Sequence, residues 1–444
     1  MRPTKFIYIC KPQKITLIKK RISYIAGAFL FVLISFQSKA QNTANPDNLS
    51  GDIQLNTITT AVPFLTISPD SRSGGMGDAG VSSSPDANSI HWNPAKLAFI
   101  DGEGGLSLTY SPWLRSLVGD ISLSYLSGYY RVNERSAFAS SLRYFSLGDI
   151  TFTDINGQTI GNFTPNEFAF DIAYAMQLSR QFSFGMALRY INSNLTNGIT
   201  VDGSDTKPGR SVAADISGFY TNDQLEVGGY DATFSAGINI SNIGAKMAYT
   251  NNDETDFIPT TLRLGPSLTL DFDKYNSMTF IVEASKLLVP TPPVYLTDSS
   301  GTIVRESNGD PTVVAGRNPN VSIASGIFGS FTDAPGVVQS VNPDGSNAVV
   351  EDGSVLIEEL SEVMLSAGVE YWYDKQFAVR MGYFYENPNK GNRQYFTIGI
   401  GLQLSVFGLD ISYLAGNAQQ NPLANTVRFS LKLNFDDLTN QNEE

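Results

Sequence analysis

From about residue 105 to residue 435 the chain alternates apolar and polar positions in short blocks. The last block is the plainest: Val427, Phe429, Leu431, Leu433 and Phe435 are apolar, and Arg428, Ser430, Lys432 and Asn434 between them are polar. Phe182, Phe184, Met186, Leu188 and Tyr190 alternate in the same way with Ser183, Gly185, Ala187 and Arg189. Successive side chains of a strand point to opposite faces, so each block predicts a strand with one greasy and one wet face. A strand of a soluble sandwich reads alike, so number and spacing carry the weight. Fourteen blocks are found, near 105–110, 120–132, 136–146, 168–178, 182–192, 211–221, 231–239, 261–272, 277–287, 363–373, 377–385, 395–404, 407–414 and 426–435. Most approach the ~9–11 residues that a tilted membrane-spanning strand needs. Pro266 inside the eighth block predicts a bulge.

The connections sort by length. Tight turns are expected at Asn133-Glu134-Arg135, at Ser179-Arg180-Gln181, over 273–276, at Asp374-Lys375 and at Ser405-Val406, with a somewhat longer one near 222–230. Long polar or proline-rich loops alternate with them, over 147–167, 193–210, 243–260 and, longest, 288–362. Short turns on one side and long loops on the other mark an outer-membrane barrel with its turns in the periplasm. No stretch after residue 40 reaches 18 consecutive apolar residues, which excludes spanning helices. If the greasy faces meet lipid, Asp171, Arg189, Arg263, Asp271, Glu283, Glu370, Arg380, Asp410, Arg428 and Lys432 face the lumen. Their mixed signs suit a bracing network more than an ion path. Rings near strand ends (Tyr129, Tyr130, Tyr371, Trp372, Tyr373, Tyr383, Phe384 and Tyr385) are expected to form interfacial girdles.

Residues 1–40 carry eight basic residues and no acid, an apolar run from Ile22 to Phe36, and Ser38-Lys39-Ala40 before Gln41. That is the build of a cleaved secretory signal. With those eight positive charges removed, the net charge of −13 becomes −21 for the mature chain. Such acidity argues against nucleic acid as a partner. The only cysteine, Cys10, lies in the signal, so the mature chain has no disulfide and no thiolate-bound metal. Low charge content (16%) with 20 Tyr, 27 Phe and 39 Gly fits a wall facing lipid or lipopolysaccharide.

Residues 42–104 lack the alternation. Gly74, Gly75, Gly77 and Gly80 fall within seven residues, which allows close backbone approach. A phosphate loop is disfavoured, since the Gly-Lys-Ser/Thr ending is missing. In Trp92-Asn93-Pro94-Ala95, Asn93 is a natural helix N-cap and Pro94 fits the first helical position. A compact segment of about 60 residues ahead of a barrel is best placed in the lumen as a hatch, being marginal as a free domain. The expectation is therefore all-β: a 14-stranded antiparallel transmembrane β-barrel over 105–435, a hatch with short helices over 41–104, and an acidic periplasmic tail over 436–444.

The residues of Ser68-Pro69-Asp70, Gly74-Gly75-Met76-Gly77-Asp78 and Trp92-Asn93-Pro94-Ala95 resemble the PorV family of the Bacteroidetes type IX secretion system. Asn93-Pro94-Ala95 and the strand count also resemble the wider FadL family of hydrophobic-compound transporters. The acidic tail departs from barrels that end on an aromatic residue. The first resemblance implies a shuttle. Its members associate with a giant translocon barrel (Sov/SprA-like), bind the C-terminal signal domains of secreted cargo, and hand them to an attachment complex with a PorU-like signal peptidase. The second implies, as the alternative, transport of hydrophobic small molecules. Neither calls for a cofactor. On the extracellular side, apolar pieces of the loops offer contacts for cargo or partners: Trp113 and Leu114 in the first loop, and Tyr295, Ile327, Phe328 and Phe331 in the long one. They could equally pack as a lid. Residues 355–363 have helical spacing. An enzyme is not expected: His91, the single histidine, lies near Ser89 and Asp86, but without a nucleophile elbow or metal-ligand spacing a structural role is favoured.

Overall fold

The structure, a computed structural model, describes residues 55–113, 119–153, 158–196, 200–201, 204–250, 255–298, 302–342, 348–416 and 425–435. The predicted signal, the start of the extension, Leu114 and the acidic tail lie outside them.

Fourteen antiparallel strands close into a barrel. They are β1 (Gly104–Pro112), β2 (Ser122–Asn133), β3 (Ser136–Ser146), β4 (Asn166–Gln177), β5 (Phe182–Asn194), β6 (Gly209–Val227) and β7 (Tyr230–Gly244). The second half comprises β8 (Thr261–Asp271), β9 (Asn276–Leu287), β10 (Met364–Tyr373), β11 (Phe377–Tyr385), β12 (Gln394–Gln403), β13 (Phe407–Ala415) and β14 (Thr426–Asn434). Each strand pairs with its sequence neighbours, and β1 closes on β14 from Gly105↔Asn434 to Tyr110↔Phe429. Closure leaves no unpaired edge in the hydrocarbon, where an unmet N–H or C=O would cost several kcal/mol. All fourteen predicted blocks are strands, two of them, 136–146 and 377–385, with the bounds expected.

The alternation is realised as burial. On β1, Leu106, Leu108 and Tyr110 face outward while Ser107, Thr109 and Ser111 are buried inward. The expected inward charges Asp171, Arg189, Arg263, Glu283, Glu370, Arg380, Asp410 and Arg428 are all buried. Asp271, at the periplasmic end of β8, is exposed.

Three expectations change. Pairing of β8 with β9 runs in one register on both sides of Pro266, so no bulge sits there. The register shifts instead in the β6–β7 pair, between Ala214 and Ile216 and between Asn222 and Leu225. The sixth connection is only Gly228-Gly229, both at positive φ (67° and 89°), as a two-residue hairpin turn requires. Finally, the girdle holds five of the eight rings expected. Tyr130, Tyr371, Tyr373, Tyr383 and Tyr385 lie on outward positions, but Tyr129, Trp372 and Phe384 lie between them and turn inward. Trp372 lies 5.4 Å under the Arg380 guanidinium and Phe384 stacks on Tyr395 at 4.9 Å. Period two permits no run of three rings on one face.

Inside, two short helices, α1 (Ser71–Gly74) and α2 (Ser89–Trp92), and two 3-10 turns, Pro63–Thr66 and Pro94–Phe99, fill the lumen. Among the described residues no helix is long and apolar enough to cross a membrane.

Leu188 is central in β5, faces outward and is 65% exposed. Leu188→Lys should therefore cost about 2–4 kcal/mol, read as a lower urea midpoint of the liposome-reconstituted barrel. Leu188→Met should leave that midpoint nearly unchanged.

Candidate functional site

The hatch is wedged by backbone contact. Gly77 has φ +72°, and a Cβ there would lie 2.7 Å from both N and O of Tyr383. On the facing wall, a Cβ on Gly382 of β11 would lie 2.0 Å from Gly77 N, and one on Gly399 of β12 would meet the Gly75 Cα at 3.2 Å. Gly75 and Gly77 are thus needed where hatch and wall backbones come too close for side chains, whereas a Cβ on Gly74 would meet the movable Arg428 guanidinium at 2.3 Å. At the other side of the lumen, Asn93 does what its sequence context predicts. Its Oδ1 accepts from Ala95 N at 3.0 Å, capping Pro94–Phe99 with Pro94 in the first turn. Its Nδ2 donates to Val81 O and to Gly218 O of β6, both at 3.0 Å. Trp92 donates from Nε1 to Asp70 at 2.6 Å, and the other oxygen of Asp70 caps α1 through Ser73 N. One buried carboxylate therefore ties α1 to α2.

Charge locks the same pieces. Arg72 grips Glu370 of β10 with two parallel bonds of 2.9 and 2.7 Å, the bidentate geometry that fixes orientation. Arg380 bridges Glu370 and Asp410 at 2.7 Å each, and Lys432 reaches Asp410 at 2.6 Å. Asp78 takes Arg428 at 2.7 Å and the Tyr395 hydroxyl at 2.6 Å. Glu283 accepts from Gly80 N and Val81 N at 2.8 Å. Across the lumen, Arg189 holds Asp171 and Asp215 at 2.6 and 3.2 Å. These charges brace hatch and wall together. Asp215 and Arg143 stand at inward positions of the predicted strands and were readable by parity. Arg72, Asp70 and Asp78 carried no such signal, because no periodicity places a hatch residue against a strand.

His91 is buried. Its Nδ1 accepts from Arg143 Nη2 at 2.7 Å, since a guanidinium can only donate. Its Nε2 has no hydrogen-bond partner among the described residues, and its ring meets Trp92 edge-on at 4.8 Å. Ser89 and Asp86 bond each other and the local backbone.

Above the hatch is a cavity of about 450 Å³. Its lining mixes Ile58, Leu287 and Phe384 with the charges of Arg263, Glu283, Lys390 and Arg393.

The extracellular cap is built from the long loop. It holds helices α3 (Ile323–Gly329) and α4 (Ser354–Ser361) and small hairpins, including Val294–Tyr295 paired with Val313–Ala315. The polarity of α4 is inverted. Glu358 and Glu359 point down and are buried, as is Glu362 just beyond the helix. Lys390 meets Glu358 and Glu362 at 2.7 and 2.9 Å, and Lys286 pairs with Glu359 at 3.1 Å and with Glu362. Ala334 N and Gly336 N donate to Glu359 and Glu358. With its acids spent below, α4 turns Leu356, Ile357 and Leu360 outward, Leu356 and Leu360 each 64% exposed. Elsewhere on the cap Phe328 is 79% exposed and Phe331 also protrudes, whereas Ile327 and Tyr295 are half-buried. Trp113 is not a surface group. It is 7% exposed and packs with Phe64, Leu65 and Phe145 at the top of the lumen. Leu356, Ile357 and Leu360 were missed as contacts: helical spacing was visible, but which face the acids would occupy was not.

The family model described as "Type IX secretion system protein PorV" matches residues 50–294, more than half of the chain and including the hatch. This chain belongs to the PorV family. PorV membership and the closed barrel together place it in the outer membrane as a type IX secretion protein. No curated protein matches the chain. Among solved structures it is similar to the toluene transporter TbuX of Ralstonia pickettii, with 12% identity over 82% of this chain and 98% of that one, TM-score 0.43. It is also similar to the toluene transporter TodX of Pseudomonas putida (12%, 86% and 98%, TM-score 0.40) and to a FadL homologue of Pseudomonas aeruginosa (10%, 86% and 99%, TM-score 0.39).

Two outcomes follow for this PorV-family barrel. Gly382→Ala should overpack the hatch seam and cost about 1–3 kcal/mol, measured as a lower thermal midpoint with hatch peptides newly open to protease. Gly218→Ala, whose Cβ would have ordinary contacts of 3.4 Å or more, should be neutral. The second outcome concerns Asp333 in the cap. Burial, and then the nearby charges of Glu359 and Glu362, push its carboxyl up to about 6, against the pull of the Thr291 N–H. The folded cap thus holds this proton more tightly than the unfolded chain, so the stabilisation is present on the acid side and is lost as pH rises through 6. Proteolytic nicking of the cap should be faster at pH 7.5 than at pH 5, and Asp333→Asn should abolish the difference.

Proposed function

We propose that this protein binds the C-terminal signal domains of secreted cargo at a giant type IX translocon barrel (Sov/SprA-like) and delivers them to a PorU-like signal peptidase in the cell-surface attachment complex. The observation that carries this reading is the inverted helix α4. A helix that buries two carboxylates, with a third just beyond its end, and shows leucines to water serves no interior of its own, and exposed apolar patches of this kind mark protein contacts. Phe328 and Phe331 add exposed rings to the same cap, and the lysine clamp beneath α4 holds that helix in one place. The lumen is occupied by a hatch bonded on several sides, which favours a shuttle over a conduit. The reading assigns no reaction chemistry to the chain. In support, His91 spends its acceptor on Arg143 and stands against Trp92 instead of beside an activated hydroxyl.

Transport of hydrophobic small molecules is the other reading, and the charged lining of the cavity weighs against it. A site for such compounds is lined mainly by apolar and aromatic groups.

The test is secretion in cells. Loss of the protein should leave unprocessed cargo in the periplasm, and Phe328→Asp with Leu360→Asp should reproduce that defect while barrel abundance and heat-modifiability stay at wild-type levels. Cargo that still reaches the surface in the deletion strain refutes the reading.

A further inference from the structure

The hatch crosses the lumen once, and its direction can be read from its partners. At its start, Asn56 donates from its backbone N to Asn389 O in the β11–β12 loop at 3.0 Å. Its side-chain nitrogen donates to Pro292 O and to Glu358 of α4, both at 3.0 Å. Ala61 N donates to Phe257 O in the β7–β8 loop at 2.9 Å. All of these partners belong to the long-loop, extracellular side. At the other end, Tyr129 near the β2–β3 turn donates from its hydroxyl to Asp101 O. Gly104 O accepts from Phe435 N, where β14 ends on the short-turn, periplasmic side. Between these ends the chain passes the middle of the lumen, through Arg72 on Glu370 and Asn93 on Gly218.

We infer that the mature chain enters its own barrel from the outside, so that Leu55 lies at the cell surface. The chain from Leu55 to Thr60 is an extended strap over the cavity, with exposed and half-buried positions alternating and Leu55 itself 74% exposed. It is fastened to the underside of α4 through Asn56 and Glu358, with Leu55 left exposed at its free end. It also orders assembly. A chain delivered from the periplasm reaches this arrangement when the strands close around an amino-terminal segment already laid through the lumen, because no route remains past the bonded hatch afterwards. This inference stands on topology alone and does not depend on what the cap binds.

The mature chain is free of cysteine, which gives a clean experiment. In a Cys10→Ser background, Leu55→Cys is treated in intact cells with a membrane-impermeant biotin maleimide, beside Phe328→Cys on the cap and Asp374→Cys in a periplasmic turn. Leu55→Cys should label as fully as Phe328→Cys, with no gain on permeabilising the outer membrane, while Asp374→Cys labels only after permeabilisation. Leu55→Cys behaving like Asp374→Cys overturns the inference. If the cysteine variant fails to assemble, a protease site inserted directly before Leu55 decides: cleavage by external protease in intact cells supports the inference, and cleavage only after permeabilisation refutes it.

Discussion

A polypeptide in hydrocarbon must satisfy every backbone N–H and C=O from within itself. For this chain the solution is a ladder that closes Gly105 onto Asn434 and leaves no edge. The rest follows from that closure. A closed wall has an inside, period-two strands turn half their side chains into it, and those side chains are largely Ser, Thr, Asp, Glu and Arg. The lumen is then a polar space that must be filled or hydrated.

The hatch fills it in two ways that reinforce each other. Glycines on the wall and on the hatch let backbone lie on backbone, so Tyr383 and Gly77 meet without a side chain between them. Around that seam, hatch and wall exchange charge: Arg72 with Glu370, Asp78 with Arg428, and Gly80 N–H with Glu283. Buried pairs of this sort add little net stability over an apolar filling, but removing one partner strands the other. Their effect here is geometric. They fix where α1 and the glycine turn after it stand against β9, β10 and β14.

The cap inverts the logic of the barrel. Below it, charges are buried and paired and apolar groups face lipid. On α4 the acids are again buried against Lys286 and Lys390, so the apolar side chains face water. Lipid is not there to cover them, which is why the cap and not the barrel wall is the face that protein chemistry can read.

Much of this was legible beforehand, for definite reasons. Alternation at 182–192 or 426–435 depends only on which face meets oil, so strand number, orientation and the inward charges followed from the amino acids. The Asn93 cap was local and equally readable. What could not be read was whatever depends on the far side of the lumen. Pro266 kept its register because both neighbouring strands hold it. Trp113 went inward because Phe64 and Leu65 wait there. Leu360 faced outward because Lys286 and Lys390, from distant strands and loops, claimed the opposite face of its helix. The sequence by itself determined the wall, since one repeating boundary between oil and water writes itself into every second residue. The tertiary structure alone decided the hatch seam, the polarity of the cap and the direction in which the chain threads its barrel, since each is a meeting of residues hundreds of positions apart that no local period records.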